Sequence, residues 1–181
     1  MRRDALLRWG LGAGIAAVAL AADYFTKRIA EQTLPLGELR SFLPLLSLQR
    51  TANTGVAFGL LRGRIGTVLL ATLVAVLVML VFIRMERRPV LGGCAGGFLL
   101  AGTLGNALDR LRQGYVTDFL RFPVWPNFNV ADICIVIGTG LLILGLVRSM
   151  QDAQKAEEAR QREKEPGARD PAAHSSDEKR A

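Results

Sequence analysis

The chain has 181 residues but one histidine, His174 near its C-terminus, and two cysteines, Cys94 and Cys134. A Ser/His/Asp triad, a Cys/His pair and a histidine-ligated metal centre therefore each lack a part. Both cysteines sit near the start of apolar runs, where a thiol packs rather than attacks, and two such residues outline no disulfide framework. Lysine is nearly as scarce, Lys27 being the only one in the first 150 residues. Two hydrolytic chemistries survive this inventory: a Ser/Lys pair built on Lys27 with Ser41 or Ser47, or a water activated by carboxylates.

Apolar residues, half of the composition, are what the chain has in quantity. Ile65 to Ile83 and Val90 to Leu108 are uncharged stretches of 19 residues each. At about 1.5 Å of rise per residue, either crosses a hydrocarbon core of about 30 Å. Trp9 to Ala22 is shorter and is extended by Arg8, which can snorkel, while Val130 to Val147 spans if Asp132 sits at the interface. The expected fold class is a membrane all-α bundle of four transmembrane helices over residues 1–150, with spans at about 8–25, 65–83, 90–108 and 130–148. The segments at about 26–64 and 109–129 then share one side of the bilayer. Arg2, Arg3, the first apolar run and Ala19-Leu20-Ala21 also fit a cleavable signal peptide, whose removal would leave three spans and make Asp23 the new N-terminus.

Charge orients this topology. Arg2, Arg3 and Arg8 precede the first span, Arg84, Arg87 and Arg88 fill the loop between spans two and three, and Arg148 and Lys155 follow span four. By the positive-inside rule these regions are cytoplasmic, as are both termini. Of the eight carboxylates in residues 1–150, only Asp4 and Glu86 fall on that side. Residues 151–181 carry 15 charges of nearly balanced sign and read as a solvated cytoplasmic helix that frays into disorder. The net charge of +7 thus belongs to the membrane body and suits anionic lipid headgroups, not nucleic acid.

Asp23, Asp109, Asp118 and Asp132 all lie at ends of apolar segments on the opposite side. Ionisable groups near hydrocarbon are rare and costly, so their gathering at one interface points to function. Each also has a plainer reading. Asp23 and Lys27 are four residues apart and can pair as a salt bridge ending span one. In Asn53-Thr54-Gly55-Val56-Ala57-Phe58, small residues let backbone or ligand come close, and a turn before a helix explains Gly55 equally well. Asp109, in Gly105-Asn106-Ala107-Leu108-Asp109-Arg110, stands at a helix C-terminus that the macrodipole makes unfavourable for an anion, so it pairs with Arg110, Arg112 or another cation. Asp118, in Val116-Thr117-Asp118-Phe119, belongs to a short strand or loop, where a surface aspartate is an equal alternative. Asn129-Val130-Ala131-Asp132 reads as an N-cap asparagine with an acid at N3, a capping-box arrangement.

Taken together, these five clusters resemble lipoprotein signal peptidase, the bacterial signal peptidase II, in order and in position at the span ends over roughly residues 15–147. The resemblance implies a four-span aspartyl endopeptidase of the bacterial inner membrane. Its site would lie near the outer leaflet, facing the periplasmic side, beneath a small extracytoplasmic β-rich subdomain. The implied reaction is cleavage of prolipoproteins immediately before a diacylglyceryl-modified cysteine, by a monomer bound to membrane lipids and needing no metal or other cofactor. Carried over by motif, Asp118 and Asp132 would be the catalytic pair. Asp23, Lys27, Asn53, Gly55, Asn106, Arg110 and Asn129 would position that pair and the substrate, and Asp109 would support the network. Thr117 departs from the apolar residue expected before the first catalytic aspartate. Two alternatives stay open: a Ser/Lys peptidase, and an ion-coupled transporter, which four spans without a repeat or broken helices disfavour.

Overall fold

Backbone amides in hydrocarbon must be satisfied within their own segment, so long apolar runs become helices. In a computed structural model that describes residues 2–54, 65–86 and 88–164, the order is α1 (Arg2–Thr33), β1 (Leu39–Leu43), β2 (Leu46–Asn53), α2 (Ile65–Met85), α3 (Pro89–Gln113), β3 (Val116–Arg121) and α4 (Val130–Lys164). The helices outrun the apolar stretches. α1 continues past residue 25 to carry Lys27 and Glu31, and α3 continues past Leu108 to carry Asp109 and Arg110. Among the described residues, α1, α3 and Val130–Arg162 of α4 are long and apolar enough to cross a membrane. The run from Gly55 to Phe58 lies outside the described residues.

The chain divides into two compact units, Met1–Gly145 and Leu146–Ala181. In the second, the helix reaches Lys164 and every side chain from Arg148 to Arg162 is exposed. The expectation of fraying beyond residue 164 lies outside the described residues.

Within the first unit, α1 packs along α3 at backbone contact. A Cβ on Gly97 would sit 2.7 Å from the carbonyl oxygen of Gly12, so only glycine allows this approach. Ala19, Ala101 and Cys134 form a small cluster among α1, α3 and α4, which makes Cys134 a packing residue. Val18 and Val136 face outward, more than 70% exposed, as expected of a surface turned to lipid. α3 opens on Pro89 and closes on Gly114, whose φ of +81° lets its N–H return to the Arg110 carbonyl at 3.0 Å. That sharp stop turns the chain directly into β3.

The three strands form one antiparallel sheet in the order β1-β2-β3. Register pairs Thr51 with Asp118, Ala52 with Thr117 and Asn53 with Val116, so the end of β2 lies beside the start of β3. Phe119 packs on Ala30 and Leu34, anchoring the sheet to the C-terminal end of α1. Arg8 near the other end of α1 donates to the carbonyls of Arg84 and Glu86, while the Glu86 carboxylate takes the Arg88 backbone N–H at 3.0 Å. Arg8 with Arg84, Glu86 and Arg88 therefore lies towards one end of α1, and Asp23 and Lys27 lie towards the other.

Candidate active site

Helices α1 and α3 contribute a buried ionic cluster. Lys27, 2% exposed, places its Nζ 2.8 Å from Asp23 Oδ2, 3.1 Å from Asp109 Oδ2 and 3.1 Å from Asn106 Oδ1. The cation expected beside Asp109 is thus Lys27, and Arg112 pairs instead with Glu31 at 3.7 Å. Asp23 does more than pair with Lys27. Its Oδ1 accepts the Ala131 backbone N–H at 2.8 Å, one of the donors that the first turn of α4 cannot satisfy internally. The Asp23 carboxylate lies over Gly105, where a Cβ would stand 2.5 Å from Oδ2.

Asn129 and Asp132 form the reciprocal cap that their spacing predicts. Asn129 Oδ1 accepts the Asp132 N–H at 3.0 Å, and Asp132 Oδ2 accepts the Asn129 N–H at 3.1 Å. The asparagine's amide nitrogen is then free to turn towards other partners. It donates to Asp118 Oδ1 at 2.7 Å and to Asn106 Oδ1 at 3.2 Å. Asn106 in turn donates to Asp132 Oδ1 at 2.8 Å, and Asn53 donates to Asp118 Oδ2 at 2.9 Å. Asp118 and Asp132 therefore belong to one hydrogen-bonded network whose bridges are Asn129, itself fully buried, and Asn106.

Asp118 is 2% exposed, which removes the surface-aspartate reading. Burial pushes its carboxyl up to about 6; the nearby Asp132 charge adds to the rise, while the Asn53 and Asn129 hydrogen bonds oppose it. Arg110, from the last turn of α3, donates to the Asn106 carbonyl at 3.2 Å and lies within the electrostatic reach of Asp109, Asp118 and Asp132. Asp109 also takes the Thr117 backbone N–H at 3.2 Å, fixing the start of β3 one residue before Asp118.

Of the residues expected at the site, Asp23, Lys27, Asn53, Asn106, Asp109, Arg110, Asp118, Asn129 and Asp132 are brought into this connected cluster, and Gly55 lies outside the described residues. Ser41 and Ser47 face one another across β1 and β2, whereas the Lys27 ammonium is held by two carboxylates and an amide. Among the described residues, no group of three or more His, Cys, Asp or Glu side chains is arranged to hold a metal ion. Glu31 is a participant that composition and motif did not single out, and Thr117, noted only as a departure from the family pattern, is its partner. The available signal was the four-residue spacing of Asp23, Lys27 and Glu31, which puts all three on one face of α1.

A cavity of about 650 Å³ opens beside Asp132, walled by Phe122, Val124, Trp125, Phe128, Ile133 and Val136 among others. Among the described residues, Asp132 is its only charged lining residue, so a half-buried carboxylate borders an otherwise apolar surface. The wall is braced from the sheet. Asn127 Nδ2 donates to the Gln49 carbonyl at 2.8 Å, Arg121 donates to Gln49 Oε1, and Phe122 stacks on Phe128 with ring centroids 5.4 Å apart.

Residues 15–148 match the family model described as signal peptidase (SPase) II. The chain is 43% identical over 141 residues to a lipoprotein signal peptidase of Symbiobacterium thermophilum, covering 74% of this chain and 91% of that one. It is 39% identical over 139 residues to a lipoprotein signal peptidase of Dehalococcoides mccartyi, covering 74% and 87%. Its fold matches a bacterial membrane enzyme solved by the in meso method at 2.3 Å resolution, with a TM-score of 0.73, 28% identity and coverage of 79% and 91%. A second such enzyme, solved at 1.9 Å, matches with a TM-score of 0.69 at 29% identity over 76% and 92% of the two chains.

Proposed function

The chain belongs to the signal peptidase II family and is a multi-pass membrane peptidase with that family's function, and from this premise we propose that it cuts by an aspartate pair, Asp118 and Asp132. The observation that carries the reading is the Asn129 bridge. One side chain donates to Asp118 and caps the turn that holds Asp132, so a single residue fixes both carboxyls. Two carboxyls in one buried network do not both ionise cheaply, and the pair retains a proton. Asp118, raised to about 6, is the member that keeps it. Asp132, at the cavity edge, serves as the base. It takes a proton from water as that water attacks the scissile carbonyl, while the Asp118 proton polarises the carbonyl oxygen.

The substrate proposed is a prolipoprotein whose cysteine carries a diacylglyceryl group, cut just before that cysteine. The apolar cavity beside Asp132 suits hydrocarbon, and each methylene it buries contributes about 0.8 kcal/mol. Arg110 and Asn53 face the peptide backbone as it passes the pair. In this reading α2 is the fourth span and residues 1–150 form the membrane domain. Both termini are cytoplasmic, and the sheet and the aspartates lie on the periplasmic side of the inner membrane. The protein works as a monomer.

The test compares a diacylglyceryl-modified precursor peptide with its unlipidated counterpart in detergent micelles, with the products identified by mass. Cleavage before the lipidated cysteine, much reduced without the lipid, is expected. Equal rates on both peptides would remove the acyl chains from recognition.

A further inference from the structure

We infer that Thr117 and Glu31 form a positioning pair that sets Asp118 for the reaction; this rests on the proposed role of Asp118. Along β3, Thr117 and Asp118 point to opposite faces. Thr117 is fully buried. Its backbone N–H and its hydroxyl are both held by residues of α1 and α3. Its N–H goes to Asp109 Oδ2 at 3.2 Å, its hydroxyl donates to Glu31 Oε1 at 2.8 Å, and the same oxygen accepts from Gln113 Nε2 at 3.0 Å.

Glu31 is suited to this because it is itself fixed. Its other oxygen lies 3.0 Å from Arg28 and 3.7 Å from Arg112, and its backbone carbonyl accepts from Arg50 at 3.1 Å. The carboxylate therefore ties α1 and the last turn of α3 to a single strand residue, and the backbone carbonyl of the same residue holds β2 through Arg50. An apolar residue at 117 would fill the space but would leave β3 attached there through its backbone alone. The residue displaced by any slip of β3 is the next one, Asp118, whose two oxygens are held from the far side by Asn53 and Asn129. Misplacement of a reacting group by about 1 Å costs up to a hundredfold in rate, with little effect on binding at a separate surface.

The experiment measures kcat, KM and the thermal midpoint for Thr117→Val, Thr117→Ser, Glu31→Ala and Thr117→Val/Glu31→Ala, with Asp118→Asn in the same series. The expected result is a roughly tenfold to hundredfold fall in kcat for Thr117→Val with KM within about twofold. Thr117→Ser, which keeps the hydroxyl, restores most of the rate. Glu31→Ala lowers kcat similarly, and the double variant falls no further than the worse single one. Wild-type kcat in folded Thr117→Val overturns the inference, as does a loss that the serine does not relieve. Turnover by folded Asp118→Asn would instead overturn the role of Asp118 itself, so the two failures are distinguishable.

Discussion

Replacing Lys27 by methionine keeps the length of the side chain and removes the cation that pairs with both Asp23 and Asp109. The ammonium is 2.8 Å from one carboxylate and 3.1 Å from the other, and all three side chains are at least 89% buried. Removing one partner of a buried ionic cluster leaves charge without compensation and costs about 3–5 kcal/mol. At about 2–4 °C per kcal/mol for a chain of this size, the midpoint of thermal unfolding in detergent falls by roughly 6–20 °C. A second substitution separates lost pairing from lost packing. Asp23→Asn removes one of the stranded charges while its amide oxygen can still accept the Ala131 N–H, so Lys27→Met/Asp23→Asn is more stable than the sum of the single losses allows. The assay is thermal unfolding of the purified single and double variants in one detergent. A Lys27→Met midpoint within about 2 °C of wild type, or strictly additive losses in the double variant, refutes the cluster as described.

Gly105→Ala places a methyl 2.5 Å from Asp23 Oδ2 and 3.3 Å from Ala131 Cβ; it should lower stability by about 1–3 kcal/mol, read by thermal unfolding, together with turnover. Because Asp118 must hold the shared proton and is raised to about 6, kcat/KM should fall towards tenfold per pH unit above about pH 6, and a rate flat or rising from pH 6 to 8 contradicts this. The same shift, from 3.8 to about 6, means that the folded state binds this proton more tightly than the unfolded one. This group's contribution to stability therefore declines as pH rises between about 4 and 6, which unfolding across that range measures. Trp125→Ala opens the cavity wall and should raise KM by roughly five- to thirtyfold, equivalent to 1–2 kcal/mol, with kcat nearly unchanged.

What local chemistry dictates could be read directly from residue order. The apolar runs mark the helices, the four-residue spacing of Asp23 and Lys27 gives their pair, and Asn129 with Asp132 gives the cap seen at the start of α4. The helix ends ran further than hydropathy indicated because Lys27, Glu31, Asp109 and Arg110 are stabilised by partners on other elements, which a window of hydropathy cannot register. Asp118 illustrates the limit most clearly. Its flanking residues fit a surface strand, and its burial depends on Asn53 and Asn129, which are 65 and 11 residues away. Thr117 is similar: taken alone it departs from an apolar pattern, and its partner Glu31 lies 86 residues earlier.

The most direct test of the aspartate-pair account is cleavage of a diacylglyceryl-modified precursor by Asp118→Asn, Asp132→Asn and Asp109→Asn, each first shown to unfold cooperatively. The account predicts no detectable product from the first two and partial activity or lowered stability from the third. Substantial turnover by folded Asp118→Asn or Asp132→Asn would contradict it, and complete inactivity of folded Asp109→Asn alongside an active Asp118→Asn would exchange their roles.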